Sequence, residues 1–157
     1  MSVTIEVSIS ENLDAEMPEA GDDDVPEPAL LETWANAAYL KDADAIASMM
    51  VTTADEIQQL NKQYRDKDSA TNVLSFPMEL PDEVDMCLLG DIALCASVIK
   101  QEAKQQSKAE QFHWAHMVVH GMLHLQGFDH IENDEAEAME ALEISILEKL
   151  GFDNPYT

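Results

Sequence analysis

HGMLHLQGFDH, residues 120 to 130, is the most informative stretch of this chain, because it combines a helix, a turn and three histidines. His120 and His124 are four residues apart, which places them on one helical face about one turn from each other. Gly127 can end that helix, since glycine readily adopts the left-handed conformation that a turning chain needs. The chain can then turn back and bring His130 toward the first two histidines.

Three imidazoles that converge in this way form a donor set for a first-row metal ion, and zinc is the ion that the set favours. Catalytic zinc sites have three protein ligands and one position open to water or substrate, whereas structural sites are usually closed by four protein ligands. The sequence therefore predicts one Zn²⁺ ion, bound by His120, His124 and His130 at an open and catalytic site.

Two further histidines, His113 and His116, fall on nearly the same helical face, so a helix with several packed histidines is the alternative interpretation. His116 lies eight residues before His124, and residues eight apart on a helix are separated by roughly 12 Å. Because Zn–N bonds are only about 2 Å long, three successive turns cannot easily hold one ion. We expect His113 and His116 to pack, or to form hydrogen bonds, beside the site.

The spacing HxxxHxxGxxH also matches the zinc-binding pattern of metzincin proteases. In those proteases a glutamate directly follows the first histidine and serves as the general base. Here that position is Gly121. A different reaction is therefore favoured, and a zinc peptidase that takes its base from elsewhere in the chain remains an alternative.

Length and composition restrict the remaining possibilities. The chain of 157 residues predicts one domain, residues 1–157, with no internal repeat. Its net charge of −24 argues against broad electrostatic binding to nucleic acid, and DNA is not an expected partner. Neither a signal peptide nor an apolar run of membrane-spanning length is present, so we expect a cytoplasmic protein without a membrane partner. Cys87 and Cys95 fit no zinc or redox spacing, which predicts free buried thiols.

Hydrophobic periodicity predicts an α+β fold with a mixed four-stranded sheet covered by helices, one of which is the central metal-bearing helix. The strand–helix–strand unit at the start predicts a parallel pair of strands. An exposed acidic loop is expected at 11–28 and another at 78–86. The predicted strands are 3–9, 45–51, 71–76 and 88–95. The predicted helices are 29–40, 54–64 after an N-cap at Thr53, 97–107, 109–126, and a last helix capped by Asp134.

The histidine motif resembles the signature of the YbeY endoribonuclease family, the bacterial rRNA maturation factors. Further blocks are similar to the family's pattern and follow its order: LNKQYRDKD at 60–68, TNVLSFP at 71–77, LLGDIALC at 88–95 and the downstream HIENDEAEAME. The resemblance covers roughly residues 45–155.

This resemblance implies a zinc-dependent, single-strand-specific endoribonuclease that acts in 16S rRNA 3′-end maturation and ribosome quality control. The family's zinc ligands correspond to His120, His124 and His130, and its active-site arginine corresponds to Arg65, which is the only arginine of the chain. The implied partners are a single-stranded rRNA precursor and the ribosome or ribosomal proteins. A non-catalytic ribosome assembly factor with a structural zinc is the remaining alternative.

Carboxylates near the histidines could also support the site. Metal-binding histidines usually donate their second ring N–H to a carboxylate or a carbonyl. Asp129 lies within the motif, and Asp91 and Asp134 are further candidates for this role. The sequence does not identify the general base.

Overall fold

A computed structural model describes residues 2–16, 25–78, 88–128 and 133–156 of the chain. A four-stranded sheet in the order β1-β2-β4-β3 is the centre of the fold. Strands β1 and β2, and β2 and β4, are parallel, whereas β3 is antiparallel to β4. The predicted α+β fold with a mixed sheet is therefore confirmed. The strands are β1 (Val3–Ile9), β2 (Ala45–Thr52), β3 (Val73–Pro77) and β4 (Leu88–Cys95).

Helices lie between β1 and β2, between β2 and β3, and after β4 along the chain. None of the helices in the described ranges is long and apolar enough to cross a lipid bilayer. The helices are α1 (Leu13–Glu16), α2 (Pro28–Ala38), α3 (Ala54–Arg65), α4 (Ala96–Gln105), α5 (Glu110–Leu125) and α6 (Asn133–Lys149).

Local sequence signals explain where α3 begins. Thr53 caps the helix as predicted: its hydroxyl accepts from the Glu56 backbone N–H at 3.2 Å, and Glu56 Oε1 accepts from the Thr53 N–H at 3.4 Å. This reciprocal pair satisfies two backbone donors that the first turn of a helix leaves unpaired. At the other end, Asp66 adopts a left-handed conformation with φ of 55° and ends the helix.

Two local predictions were wrong, and parts of several predictions lie outside the described residues. The expected loop at 11–28 contains α1, because Leu13 is buried against the core. Asp134 does not cap the last helix, since α6 already begins at Asn133. Residues 17–24 and 79–87, which include Cys87 and most of the second predicted loop, lie outside the described part. The expected buried free thiol is found at Cys95.

Helices pack on both faces of the sheet. Strand side chains alternate between the two faces, and α2 and α5 cover one face through a core that includes Trp34, Trp114 and Met122. On the other face, Ile57 of α3 packs against a small cluster formed by Leu74, Ala93 and Cys95. The histidine-bearing helix α5 is consequently one of the most buried elements in the described part of the chain.

Gly121 allows α5 to lie very close to the sheet. A Cβ atom at this position would lie 3.2 Å from Ile92 Cγ2 and 3.3 Å from Val73 Cγ2. These distances are tighter than most contacts of Cβ atoms, so a larger side chain would require Ile92, Val73 or the helix itself to shift. The residue that stands where metzincins have their general base is therefore a packing residue in this fold.

We predict that Gly121→Glu destabilises the protein by about 3 kcal/mol or more. The substitution overpacks the contact with Ile92 and Val73 and places a carboxylate in a buried position. The free energy of unfolding in urea is the appropriate measurement. Gln111→Glu is the matched control, because it adds the same charge at an exposed position of the same helix and is expected to change stability by less than about 0.5 kcal/mol. Equal stability of the two variants would contradict the proposed packing role.

Candidate metal centre

Helix α5 ends at the glycine that the motif predicts. Gly127 has φ of +102°, a conformation that side-chain-bearing residues rarely adopt. Its N–H donates to the His124 carbonyl at 3.1 Å, and the Phe128 N–H donates to the Leu123 carbonyl at 3.1 Å. This pair of bonds is a Schellman motif, which closes the helix and turns the chain away from its axis. His130 and Asp129 follow in 129–132, outside the described residues, so the third ligand remains a prediction.

The two described histidines of the motif converge. The Nε2 atoms of His120 and His124 are 3.0 Å apart. Two nitrogens bound to one tetrahedral zinc, each at 2.0–2.1 Å, would be separated by about 3.3 Å. The side chains are therefore positioned within a few tenths of an ångström of the separation that a shared zinc ion requires. Both residues are only partly buried, which leaves this point accessible from the surface.

A buried glutamate in α6 orients His120. Glu143 is 0% exposed, and its Oε1 accepts from His120 Nδ1 at 2.8 Å. Its Oε2 accepts from His116 Nε2, also at 2.8 Å, and from the hydroxyl of Tyr156. Because Nδ1 of His120 carries the proton, Nε2 of a neutral ring keeps its lone pair for a metal ion. This arrangement of carboxylate and histidine is the one that commonly supports metal ligands in proteins.

Electrostatics keep the Glu143 carboxylate ionised. Burial alone would raise its pKa, but the hydrogen bonds from His116, His120 and Tyr156 outweigh that effect and hold the pKa well below its usual range. Burial, together with the bond to Glu143, raises the pKa of Tyr156 far above its ordinary value. Tyr156 therefore remains a neutral donor, and Glu143 remains an acceptor for all three partners.

The sequence did not identify Glu143 or Tyr156 as parts of the site. One signal was present: Glu143 lies between Met139 and Ile146, on the apolar stripe of α6, where an unpaired carboxylate would be costly. The described Nδ1 contact of His120 is to Glu143 and not to the candidates Asp91 or Asp134. Asp91 instead accepts from Ser48 on the neighbouring strand, and Asp134 is exposed in the first turn of α6.

His113 and His116 form hydrogen bonds beside the site, as predicted. His116 binds Glu143, and His113 Nε2 lies 2.9 Å from Glu102 Oε1 in α4. The same glutamate oxygen accepts from the side-chain amide of Asn72 at 3.0 Å. Burial lowers the pKa of His113 despite the nearby Glu102 carboxylate. These histidines therefore join α5 to α4 and α6.

Arg65 is connected to the histidine helix through one residue of β3. Its Nη2 donates to the Ser75 carbonyl at 2.8 Å, and the Ser75 hydroxyl donates to the Gly121 carbonyl at 3.1 Å. Gly121 directly follows His120 in α5. Arg65 at the end of α3 and the candidate metal ligands are thus fixed to the same short strand.

A model of one protein family matches most of this chain. Residues 26–151 match the family model described as endoribonuclease YbeY. The chain belongs to the YbeY endoribonuclease family. The resemblance that the histidine motif and the neighbouring blocks suggested is therefore confirmed.

Two similar proteins support the assignment to YbeY. A protein named endoribonuclease YbeY from Colwellia psychrerythraea is 50% identical over 137 residues, which cover 84% of this chain and 88% of the relative. A protein of the same name from Alteromonas mediterranea is 52% identical over 135 residues, which cover 85% of both chains. The predicted enzyme class, a hydrolytic endoribonuclease, is confirmed at the level of the family.

A solved structure supports the fold. The solution structure of a Thermotoga maritima protein covers 98% of this chain and aligns along 99% of its own length, with a TM-score of 0.51 and 21% identity. Since the identity is low, this likeness concerns the fold alone.

We predict that Glu143→Gln weakens zinc binding by this YbeY-family protein about 10- to 100-fold, because a neutral amide orients the His120 ring less firmly and makes it a poorer ligand. Zinc affinity measured by competition with a chromogenic chelator tests this expectation. Glu148→Gln is the matched control, since it removes the same charge from an exposed position of the same helix. If the two variants bound zinc equally well, Glu143 would have no role in supporting the site.

Proposed function

We propose that this chain is a zinc-dependent endoribonuclease that cleaves single-stranded rRNA precursors, with one Zn²⁺ ion held by His120, His124 and His130. The observation that supports it best is the 3.0 Å separation of the Nε2 atoms of His120 and His124. The biological role that we infer is 16S rRNA 3′-end maturation and ribosome quality control in the cytoplasm. The zinc ion, its three ligands, the single-stranded substrate and the biological role are proposals that go beyond the endoribonuclease activity shown by membership of the family.

The donor set suits zinc for a chemical reason. Neutral imidazoles bind the ion without cancelling its charge, and Glu143 selects the tautomer of His120 that leaves Nε2 free of a proton. When bound, the ion would supply Lewis-acid chemistry, which favours attack on a phosphodiester by stabilising the negative charge that develops on its oxygens. The partly buried position of both histidines allows an RNA strand to approach this point.

Arg65 provides a second positive charge for the same substrate. Its guanidinium is permanently protonated and carries five N–H donors, and the bond to the Ser75 carbonyl uses one of them. That bond restrains the side chain without neutralising it, because its partner is a carbonyl. We assign Arg65 the role of contacting the phosphate at which cleavage occurs and of stabilising the charge that develops there.

The charge of the whole chain suggests how RNA reaches the site. A net charge of −24 repels a free polyanion, although salt screens this repulsion over a Debye length of about 8 Å under physiological conditions. Attractive charge at the proposed site is local: the bound ion and Arg65. We therefore infer that the ribosome, or a ribosomal protein, brings the rRNA precursor to the enzyme.

Packing at Gly121 disfavours the peptidase alternative. A glutamate following the first zinc ligand would serve as the general base of a metzincin. Here, even a Cβ atom at that position would lie 3.2 Å from Ile92 Cγ2. A base in the metzincin position would therefore require Ile92, Val73 or α5 itself to shift.

His124→Ala should abolish stoichiometric zinc binding, because it removes one of three ligands. Metal content after dialysis, measured by mass spectrometry, is the appropriate test. His113→Gln is a suitable control, since it alters a buried histidine of the same helix that binds Glu102 instead, and we expect it to retain one zinc per chain. Full retention of zinc by the His124 variant would rule out the ligand assignment.

Arg65→Ala should retain zinc and lower the rate of RNA cleavage by about 100-fold or more, a typical effect of removing a group that stabilises transition-state charge. Cleavage of a defined rRNA precursor, followed on a denaturing gel, provides the rate. Lys62→Ala removes the same charge one turn earlier in α3 and should cleave at close to the wild-type rate. Unchanged turnover by the Arg65 variant would exclude the proposed role.

A further inference from the structure

A cleft of about 470 Å³ lies on the sheet face that α3 partly covers. The floor of the cleft consists of two rows of side chains that run across the sheet. Each row contains residues that are paired between neighbouring strands and therefore point to the same face. Helix α3 provides one wall. The first row is Ser8, Met50 and Ala93, the second row is Ser48, Asp91 and Phe76, and the wall is formed by Leu60 and Tyr64.

The wall of the cleft offers an aromatic surface. Tyr64 is 61% exposed although it is a large ring, and its centroid lies 5.3 Å from that of Phe76 at an interplanar angle of 63°. Exposed rings of this kind are the surfaces on which bases of single-stranded RNA stack. The volume of the cleft is also within the range typical of sites for small organic groups.

The floor of the cleft carries a carboxylate held by a neighbour. Asp91 accepts a hydrogen bond from the Ser48 hydroxyl. A carboxylate has about four acceptor positions, so this bond leaves both oxygens able to accept from a ligand. A phosphate would be repelled here, whereas the edge of a base with adjacent N–H groups would be attracted. Guanine fits best, because its Watson–Crick edge presents N1–H and the N2 amino group side by side, and adenine presents an acceptor at N1.

We propose that this cleft, lined by Tyr64, Phe76, Ser48 and Asp91, is a nucleobase subsite that binds a guanine of the RNA substrate. The base stacks on the Tyr64 ring, and the Asp91 carboxylate accepts from its N1–H and N2 amino groups. This inference rests on the proposed function, since it assigns a base preference to the same RNA substrate.

The subsite adjoins the proposed phosphate contact at the edge of β3, on the sheet face opposite to α5. Tyr64 directly precedes Arg65 in α3, and Phe76 directly follows Ser75, whose carbonyl accepts from Arg65. One pair of neighbouring residues on each element therefore provides an aromatic surface for a base and a positive charge for a phosphate. This continuity favours RNA over a basic peptide, which would be attracted to Asp91 but repelled by Arg65.

The test compares 2′-O-methyl hexanucleotides that contain one guanosine, inosine or adenosine among uridines and bear a fluorescent label. Inosine lacks only the N2 amino group of guanosine. Fluorescence anisotropy with the zinc-loaded, full-length protein should show about tenfold tighter binding of the guanosine oligonucleotide than of the inosine one, as expected for one charge-assisted hydrogen bond. Asp91→Asn should remove this difference. Tyr64→Ser should weaken binding of all three about tenfold, and Tyr64→Trp should restore it.

Glu6→Gln is the matched control for charge. Glu6 is paired with Ser48 in the sheet register, but it does not line the cleft. It should leave the ratio of guanosine to inosine affinity unchanged. Equal affinity of the wild type for guanosine and inosine oligonucleotides, or a preference that survives Asp91→Asn, would overturn the subsite. Cleavage of an rRNA precursor is measured separately: normal cleavage without a guanine preference refutes only the subsite, and a guanine preference without cleavage refutes only the proposed activity.

Discussion

The buried carboxylate of Glu143 is the interaction on which the geometry of the candidate site depends. Removing an ionised carboxylate from water is costly, and the cost is offset here because three side chains donate to it. The donors belong to separate parts of the chain: His116 and His120 to α5, and Tyr156 to the segment after α6. The contact therefore fixes the packing of the last helix and the orientation of a candidate metal ligand at the same time.

Local sequence signals predicted much of this fold. The capping box that begins with Thr53 and the turn at Gly127 each depend on interactions between residues close in sequence. Such interactions satisfy most of their hydrogen bonds locally, and tertiary packing does not have to override them. The convergence of His120 and His124 follows from the same kind of argument, because helical periodicity alone brings them to one face.

Other features depend on contacts between distant residues and could not be predicted. Glu143 is a partner of His120 only because α6 packs against α5, and no spacing within α6 indicates that contact. Helix α1 forms where a single apolar side chain, Leu13, reaches the core from an acidic segment. A single apolar residue shows no hydrophobic periodicity, so no pattern in the sequence indicated this helix. Asp134 looked like a cap because its side chain suits that position, yet the helix begins one residue earlier.

Strand β3 lies at one edge of the sheet, and Arg65 occupies the carbonyl of Ser75 there. Pro77, at the end of the strand, has no N–H to donate. Unsatisfied backbone groups on such an edge are templates for strands of other molecules. The side chain that we assign to RNA thus also covers one backbone acceptor of this edge, which would otherwise be open to a strand of another molecule.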